Sequence, residues 1–292
     1  MKEIIITTES GNDLPQHLVD KYNIHVVPMH ITMDGKTYDD QSIPVQNIYD
    51  YFDKTSKVPT TSAANVYDFI TVFTKIREEY PDNPIFHLAY SAVTTCSYQN
   101  AQIAAEDFDN IYLIDTKNVT GGATAFIVKA VELIREREKT IDGSKQSYES
   151  LAKELSEMAS KIHFSFLPGN LNFLKAGGRL SNAAFLGAVL LRIKPLIEII
   201  DGKLVATKKY LGSTEKLIPK FIQEFVTEHN ISKKSLFVVA TEGLAESAKQ
   251  RIRETMEKLG VGQYEINPCG LVITCHSGPA SIGIGGWEES LD

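Results

Sequence analysis

The stretch Ile4-Ile5-Ile6-Thr7-Thr8, followed by Ser10-Gly11-Asn12-Asp13, decides how the first half of the chain folds. An unbroken apolar run that ends in turn-forming residues is typical of a buried strand. Similar runs at residues 25–33, 84–90 and 111–115 alternate with segments whose apolar residues recur at helical spacing. Strands that alternate with helices indicate a mostly parallel α/β sheet over residues 1 to about 140.

The pattern changes in the second half. Residues 197–206 read IEIIDGKLVA, and the Asp201-Gly202 pair favours the tight turn of an antiparallel hairpin. A hairpin beside helices indicates a domain of α+β type. We therefore predict an N-terminal α/β domain over residues 1–155 and a C-terminal α+β domain over residues 156–292, with the ligand site between them. Residues 275–286 are small and glycine-rich, and we read them as a strand that another element approaches closely.

Composition narrows the function classes. The chain has 292 residues and a net charge of −7, which argues against binding to nucleic acid or to anionic membranes. The first residues lack the features of a signal peptide, and the apolar run at 183–191 is far too short for a membrane span. Three cysteines without C-x-x-C spacing indicate neither a disulfide framework nor a zinc site. We expect a cytoplasmic protein with reduced thiols and without stable membrane insertion.

Several enzyme signatures are missing from the sequence. There is no G-x-x-x-x-G-K-[ST] phosphate loop, no G-x-S-x-G nucleophile elbow and no H-E-x-x-H zinc motif. Glu9 and Asp13, in the first loop, are interpreted as turn and cap residues rather than as an acid–base pair. The sequence therefore predicts no cofactor, and a protein that binds rather than converts its ligand.

Two clusters of hydroxyl side chains stand out. Thr60-Thr61-Ser62 precedes a helical pattern, and residues 91–97 follow the strand at 84–90. In open parallel sheets, ligands lie beyond the carboxyl ends of the strands. Each cluster has two interpretations: Ser and Thr commonly cap helices, and the free N–H groups at a helix start also attract anions.

The segment Leu174-Lys175-Ala176-Gly177-Gly178-Arg179-Leu180-Ser181 combines a sharp turn with a permanent positive charge. Two glycines allow the turn, and a guanidinium presents a planar fork of donors suited to a carboxylate or phosphate. Apolar residues follow, which suggests a ligand with an anionic head group and an apolar body. The alternative is a surface arginine that follows a helix C-cap glycine.

These motifs resemble those of one protein family. Thr8-Glu9-Ser10-Gly11-Asn12-Asp13-Leu14-Pro15 is similar to the T-D-S-x-x-D-L-P opening of the DegV family, and Val26-Val27-Pro28 with residues 35–40 is similar to its next block. Pro59-Thr60-Thr61-Ser62 resembles its P-T-T-S motif. Residues 175–181 resemble its K-x-G-G-R-I-S motif, and His276-Ser277-Gly278-Pro279-Ala280 resembles H-x-G-P-G. The blocks occur in family order over nearly the whole chain.

The resemblance implies a two-domain α/β protein that buries one long-chain fatty acid between its domains. Some members, the FakB proteins, present that acid to a separate fatty acid kinase, which phosphorylates the carboxylate. Carried over to matching positions, the resemblance implies a set of ligand-binding residues: Thr61, Ser62, Thr95, Arg179 and His276 at the carboxylate, with Ser91, Ser277 and Gly278 beside them. Apolar residues after the arginine are candidate tail contacts: Ala183, Phe185, Leu186, Val189 and Leu190.

One block departs from the family pattern S-S-G-L-S-G-T-Y-x-S-A. Thr95 keeps a hydroxyl where the binding serine is expected, but Val93 and Cys96 replace the two glycines. We expect these side chains to narrow the head-group end of the site.

The physical interpretation agrees with the resemblance. A sixteen-carbon tail buries about fourteen methylenes at about 0.8 kcal/mol each, or about 11 kcal/mol before ordering costs. A buried carboxylate without partners is very costly, and one arginine, two hydroxyls and a histidine would satisfy it.

Two other function classes remain open at this point. One is an enzyme acting on an anionic acyl or phosphate substrate, with His276 as general base and Thr61 or Ser62 as nucleophile. The other is a regulatory or interaction protein whose lipid is structural.

Overall fold

The computed structural model describes residues 2–178 and 193–292. Arg179 and the five candidate tail contacts lie outside the described residues. The first part of the chain forms, in order, β1 (Ile5–Glu9), α1 (Gln16–Tyr22), β2 (Ile24–Val27), β3 (His30–Met33), β4 (Lys36–Asp39), α2 (Gln46–Thr55), β5 (Thr60–Ser62), α3 (Val66–Glu79), β6 (Ile85–Ala89), α4 (Ser97–Ala105), β7 (Ile111–Asp115) and α5 (Thr120–Arg137). The second part forms α6 (Lys145–Met158), β8 (Ile162–Leu167), α7 (Leu171–Ala176), β9 (Ile193–Ile200), β10 (Lys203–Leu211), α8 (Thr214–Glu228), β11 (Ser235–Ala240), α9 (Glu246–Leu259), β12 (Gln263–Pro268), α10 (Leu271–Ser277) and β13 (Ile282–Trp287).

The first sheet is parallel, with strand order β2-β1-β6-β7. Ile6 on the central strand β1 lies opposite Ile24 on one side and Phe86 on the other. All five residues of β1 and all five of β6 are buried, as expected for parallel strands covered by helices on both faces. The prediction of a parallel α/β arrangement in the first half is confirmed.

Residues 25–33 form two strands, so the prediction of a single strand there is wrong. β2 belongs to the parallel sheet, whereas β3 is the centre of a three-stranded antiparallel sheet of order β4-β3-β5. Pro28 separates the two strands, since it has no N–H for a ladder and restricts the residue before it. Met29 follows it and donates its N–H to Ser10 Oγ at 2.9 Å.

The hydroxyl cluster at residues 60–62 is a strand, so its interpretation as a helix cap is also wrong. These residues form β5, in which Thr61 lies opposite Ile31 of β3. The cap of the following helix α3 is Asn65, whose side chain accepts from the N–H groups of Tyr67 and Asp68. Strand pairing therefore fixes which way the side chain of Thr61 points.

The second half contains a six-stranded sheet of order β10-β9-β8-β13-β11-β12. The β9–β10 hairpin turns at Asp201 and Gly202, both at positive φ, as predicted. One face of this sheet packs against α8 and α9, and Phe221, Ile222 and Ile252 are buried there. The other face carries a separate apolar cluster that includes Phe164, Phe166, Ile197 and Val239. This mixed sheet confirms the α+β character of the second half.

Residues 275–286 do not form one strand as predicted. Residues 275–277 end helix α10, Gly278 follows it at φ 73°, and β13 begins only at Ile282. The predicted close approach is present within β13, where a Cβ on Gly285 would overlap the backbone of Gly121 in α5.

Helices α7 and α10 connect the two halves. They pack against each other, and α10 also contacts α2, β3 and β5 from the first half. The division at residue 155 stays a prediction, since these two helices of the second half share an apolar core with the first. Among the described residues, no helix is both long and apolar enough to cross a membrane.

Candidate functional site

A cavity lies between the carboxyl-end loops of the parallel sheet and the inner face of the six-stranded sheet. Its empty volume is about 810 Å³, of which part is open to solvent. Most of its described lining is apolar and comes from both halves of the chain: Met29, Ala63, Tyr90, Val119, Phe164, Phe166, Leu174, Leu204, Val239, Cys269, Val272, Ile273, Ile282 and Gly283. The polar lining residues are Thr61, Ser62, Thr94, Thr95, Thr120, His276, Ser277 and Ser281.

The polar lining contains a direct contact between two predicted site residues. Thr61 Oγ1 and His276 Nε2 are 2.9 Å apart, although 215 residues separate them in sequence. Thr61 projects from β5, and His276 stands in the last turn of α10. Ser62, Thr95 and Ser277 line the same cavity. Five of the eight predicted positions are thus brought to one cavity, which combines hydrogen-bonding groups with an apolar interior.

The other three predicted positions do not line the cavity or cannot be placed. Ser91 is fully buried and donates its Oγ–H to Gly202 O at 2.7 Å, so it holds the tip of the β9–β10 hairpin. Gly278 ends α10, and its carbonyl accepts from Thr241 Oγ1 at 2.6 Å. Arg179 lies outside the described residues.

The two glycines before Arg179 have separate roles. A Cβ on Gly177 would overlap Nδ1 of His276, so this position leaves room for the imidazole ring. Gly178 has φ 64°, in the left-handed region that favours glycine. The glycine motif and the histidine motif, about a hundred residues apart, therefore pack against each other.

The expected narrowing by Val93 and Cys96 is wrong, because neither residue lines the cavity. Val93 is 55% exposed, and its side chain faces the hairpin turn at Gly202. Cys96 is exposed at the start of α4. The departure from the family pattern thus falls on the outer side of the loop, whereas Thr95 faces the cavity.

Buried carboxylates support the site from behind. Glu9 accepts from Tyr90 N–H at 2.8 Å and from Ser97 Oγ at 2.9 Å, which ties down the loop that carries Thr95. Asp13 accepts from Gly270 N–H at 2.8 Å, at the start of α10. Asp13 thus acts as a cap, but for a helix distant in sequence, whereas Glu9 holds a loop and caps no described helix, so the cap interpretation holds for Asp13 alone.

Asp40 is a residue that the sequence interpretation missed. Its Oδ1 accepts from Leu271 N–H at 2.7 Å, and these residues are 231 positions apart, so no local signal marks the contact. Burial and the nearby Asp40 raise the pKa of Asp13 to about 8, and burial also raises the pKa of Asp40. Folding therefore favours the protonated form of Asp13.

The described lining of the cavity contains no reactive thiol and no metal site. Burial raises the pKa of Cys269, which lines the cavity, and also that of Cys275, so both thiols stay protonated. Within residues 2–178 and 193–292, no group of three or more His, Cys, Asp or Glu side chains could hold a metal ion.

Comparisons with known proteins agree with this architecture. A DegV domain-containing protein of Staphylococcus aureus is 29% identical over 288 residues, covering 97% of this chain and 98% of that protein. A solved structure from Thermus thermophilus, described as fatty acid binding of a DegV family protein, has a TM-score of 0.84 at 27% identity and covers 99% of this chain and 100% of its own. A DegV lipid binding protein from Thermotoga maritima has a TM-score of 0.79 at 26% identity, with 97% of each chain covered.

The pattern of one family, described as "Uncharacterised protein, DegV family", matches residues 3–289. The chain shares its overall fold with these solved structures, and it belongs to the DegV family.

Proposed function

We propose that this protein binds one long-chain fatty acid, with its tail in the apolar part of the cavity and its carboxylate at the polar side chains. The observation that carries the proposal is the contact of Thr61 Oγ1 with His276 Nε2, 2.9 Å apart, beside a mostly apolar lining. Two similar solved structures are described as fatty-acid-binding and lipid-binding proteins.

The head group is held by Thr61, Ser62, Thr95 and His276, and by Arg179 through the family resemblance. A carboxylate accepts from hydroxyl and imidazole donors, and charge-assisted hydrogen bonds are stronger than neutral ones. Ser277 lines the same cavity and contributes to the polar end. Ser91 and Gly278 act indirectly. Ser91 holds the tip of the β9–β10 hairpin, and Gly278 anchors the end of α10.

The protein acts as a cytoplasmic carrier without catalysis of its own, and it presents the acyl carboxylate to a fatty acid kinase. A carboxylate held by hydrogen bonds can leave the site or react there, because no covalent bond to the carrier has to be broken first. The buried, protonated thiols of Cys269 and Cys275 are consistent with that role.

Native mass spectrometry of the purified protein tests the binding. We expect one co-purifying fatty acid per chain, and a mass increase of one hexadecanoic acid after delipidation and addition of hexadecanoate. His276→Ala should weaken hexadecanoate binding by about 10–100-fold, because hydrogen bonds to charged groups contribute about 1.5–3 kcal/mol. A protein that carries no lipid and binds none after delipidation would contradict the proposal.

A second experiment tests presentation to the kinase. The loaded protein, a fatty acid kinase and ATP should yield an acyl phosphate that hydroxylamine traps as a hydroxamate. The delipidated protein is the control and should yield none. Equal hydroxamate formation from free hexadecanoate without this protein would remove presentation from its role.

A second candidate function rests on the same pair of atoms. A hydroxyl within hydrogen-bond distance of an imidazole is also the geometry of a nucleophile and its general base. That enzyme would hydrolyse acyl or phosphate esters, and the activity would disappear in both Thr61→Val and His276→Ala. Turnover of p-nitrophenyl esters above the His276→Ala background would favour it over the carrier.

A further inference from the structure

Helix α10, which carries His276, begins at two buried carboxylates from the first half of the chain. Asp13 Oδ1 accepts from Gly270 N–H at 2.8 Å, and Asp40 Oδ1 accepts from Leu271 and Val272 N–H at 2.7 and 3.2 Å. The first N–H groups of a helix have no partner within it. Gly270, at the cap position, has no side chain to supply one. The start of α10 is therefore satisfied from outside its own sequence.

Both carboxylates are themselves held in place. Thr120 Oγ1 donates to Asp13 Oδ2, and Ser10 Oγ donates to Asp40 Oδ2 at 2.9 Å. Asp13 is 3% exposed and Asp40 is 7% exposed. A buried carboxyl group that loses its hydrogen-bond partners is costly in either protonation state, so α10 cannot shift away from this pair without a penalty. We call Asp13, Asp40 and the three N–H groups that they accept from the carboxylate clamp.

The start of the helix also lies close against the carboxylates. A Cβ on Gly270 would lie 2.7 Å from Asp40 Oδ1 and 3.1 Å from Asp13 Oδ1, so even a methyl group would push the clamp apart. The backbone of Gly270 has φ −69°, which other residues adopt without strain. Glycine is needed here for space and not for its conformation.

The clamp constrains the position of His276 because α10 is short. The six residue-to-residue steps from Gly270 to His276 span about 9 Å at a helical rise of about 1.5 Å per residue. At its other end, the chain is held by Thr241 Oγ1, which donates to Gly278 O at 2.6 Å. Two fixed ends define the axis of the helix, whereas one fixed end would leave it free to tilt.

His276 has little tolerance for such a tilt. Its Nε2 lies 2.9 Å from Thr61 Oγ1, and a movement of about 0.5 Å would take that contact beyond good hydrogen-bond distance. Loss of the clamp would thus disturb the head-group site more than the tail site, because Val272 and Ile273 are the only described apolar lining residues that lie on α10.

We propose that Asp13 and Asp40 are positioning residues for head-group recognition: through α10 they hold His276 against Thr61, and without them the protein loses its preference for a carboxylate. This rests on the proposed function, since it concerns the same site. A purely structural role would lower the affinity for every lipid alike, so a comparison of charged and uncharged lipids separates the two roles.

The test compares hexadecanoate with hexadecanol, which have tails of equal length, on the full chain. In Asp40→Ala and Gly270→Ala we expect the affinity for hexadecanoate to fall at least 10-fold and the affinity for hexadecanol to change less than 3-fold. Asp40→Asn keeps one oxygen for Leu271 and Val272, so it should restore most of the hexadecanoate affinity. Ser144→Ala removes the cap of the distant helix α6 and should leave the ratio of the two affinities unchanged.

A second readout follows the histidine without any lipid. The NMR resonances of the His276 ring should shift in Gly270→Ala and Asp40→Ala and stay in place in Ser144→Ala. Two results would overturn the proposal: equal losses of affinity for hexadecanoate and hexadecanol, or unchanged His276 resonances in both Asp40→Ala and Gly270→Ala. If the wild-type protein bound neither lipid, the proposed function would fail. The His276 resonances would still show whether the clamp positions His276.

Discussion

The two walls of the cavity are built in different ways. The apolar wall is one face of the six-stranded sheet, where Phe164 and Phe166 on β8 and Val239 on β11 belong to one buried cluster. The polar wall is made of pieces: a three-residue strand, a loop after β6 and the end of a seven-residue helix. The apolar wall rests on strand periodicity and burial, whereas the polar wall rests on buried hydrogen bonds between distant segments.

The largest effect is expected where a charge enters the apolar wall. Val239 is 2% exposed, so Val239→Asp should lower the free energy of unfolding by about 3–5 kcal/mol, as an unpaired buried charge does. Urea unfolding followed by circular dichroism measures it. The matched control is Val205→Asp on the same sheet, where the side chain is 36% exposed and a change within about 0.5 kcal/mol is expected. Equal losses of stability at both positions would mean that the apolar wall is not a packed, buried surface.

The support behind the polar wall should make stability depend on pH. The pKa of Asp13 is about 8 in the folded protein against an ordinary value of 3.8, so the folded state holds a proton that the unfolded state releases between these values. The free energy of unfolding should therefore fall as pH rises from about 4 to about 8 and level off above that. In Asp13→Asn this part of the slope should disappear.

Denaturant midpoints between pH 4.5 and 8.5, compared for wild type and Asp13→Asn, measure that slope. Glu198 does not affect the slope in this pH range. The hydrogen bond from His229 lowers the pKa of Glu198 to about 2, so its contribution to the pH dependence of stability lies at more acidic pH. Parallel curves for the two proteins would show that Asp13 is ionised in the folded state.

A smaller effect is expected from a single hydroxyl of the polar wall. Thr61→Val keeps the shape of the side chain and removes one hydrogen-bonding group beside His276, so hexadecanoate affinity should fall by about 1 kcal/mol, or about fivefold. Isothermal titration with hexadecanoate and hexadecanol measures the difference. Thr61→Ser retains the hydroxyl and should bind nearly as well as wild type; a loss as large as that of the valine variant would assign the effect to packing.

The smallest effect is expected on the outer side of the loop after β6. Val93→Gly restores the family residue at an exposed position that faces Gly202, so hexadecanoate affinity should change less than about twofold, and added backbone freedom should cost about 0.4–1 kcal/mol of stability. Thr95→Val, two residues away and facing the cavity, should weaken hexadecanoate binding instead. A larger change in affinity from Val93→Gly than from Thr95→Val would reverse our placement of this loop.

Sequence patterns predicted the regular parts of the molecule well. The alternation of apolar runs and helical segments indicated the parallel sheet, and Asp201-Gly202 indicated the hairpin, because both depend on residues that are neighbours in the chain. Predictions failed where tertiary pairing overrode a local signal. Thr60-Thr61-Ser62 has the composition of a helix cap but pairs with β3, and residues 25–33 divide at Pro28 between two sheets.

The sequence by itself determined the fold class, the family and the residue types available for a site, since motifs and periodicity are written along the chain. Only the tertiary structure decided which of those residues meet. It placed His276 against Thr61, turned Val93 away from the cavity, and set Asp13 and Asp40 at the start of α10. The physical reason is that buried polar groups must find partners wherever the folded chain supplies them, and these partners lie 215 to 257 residues away.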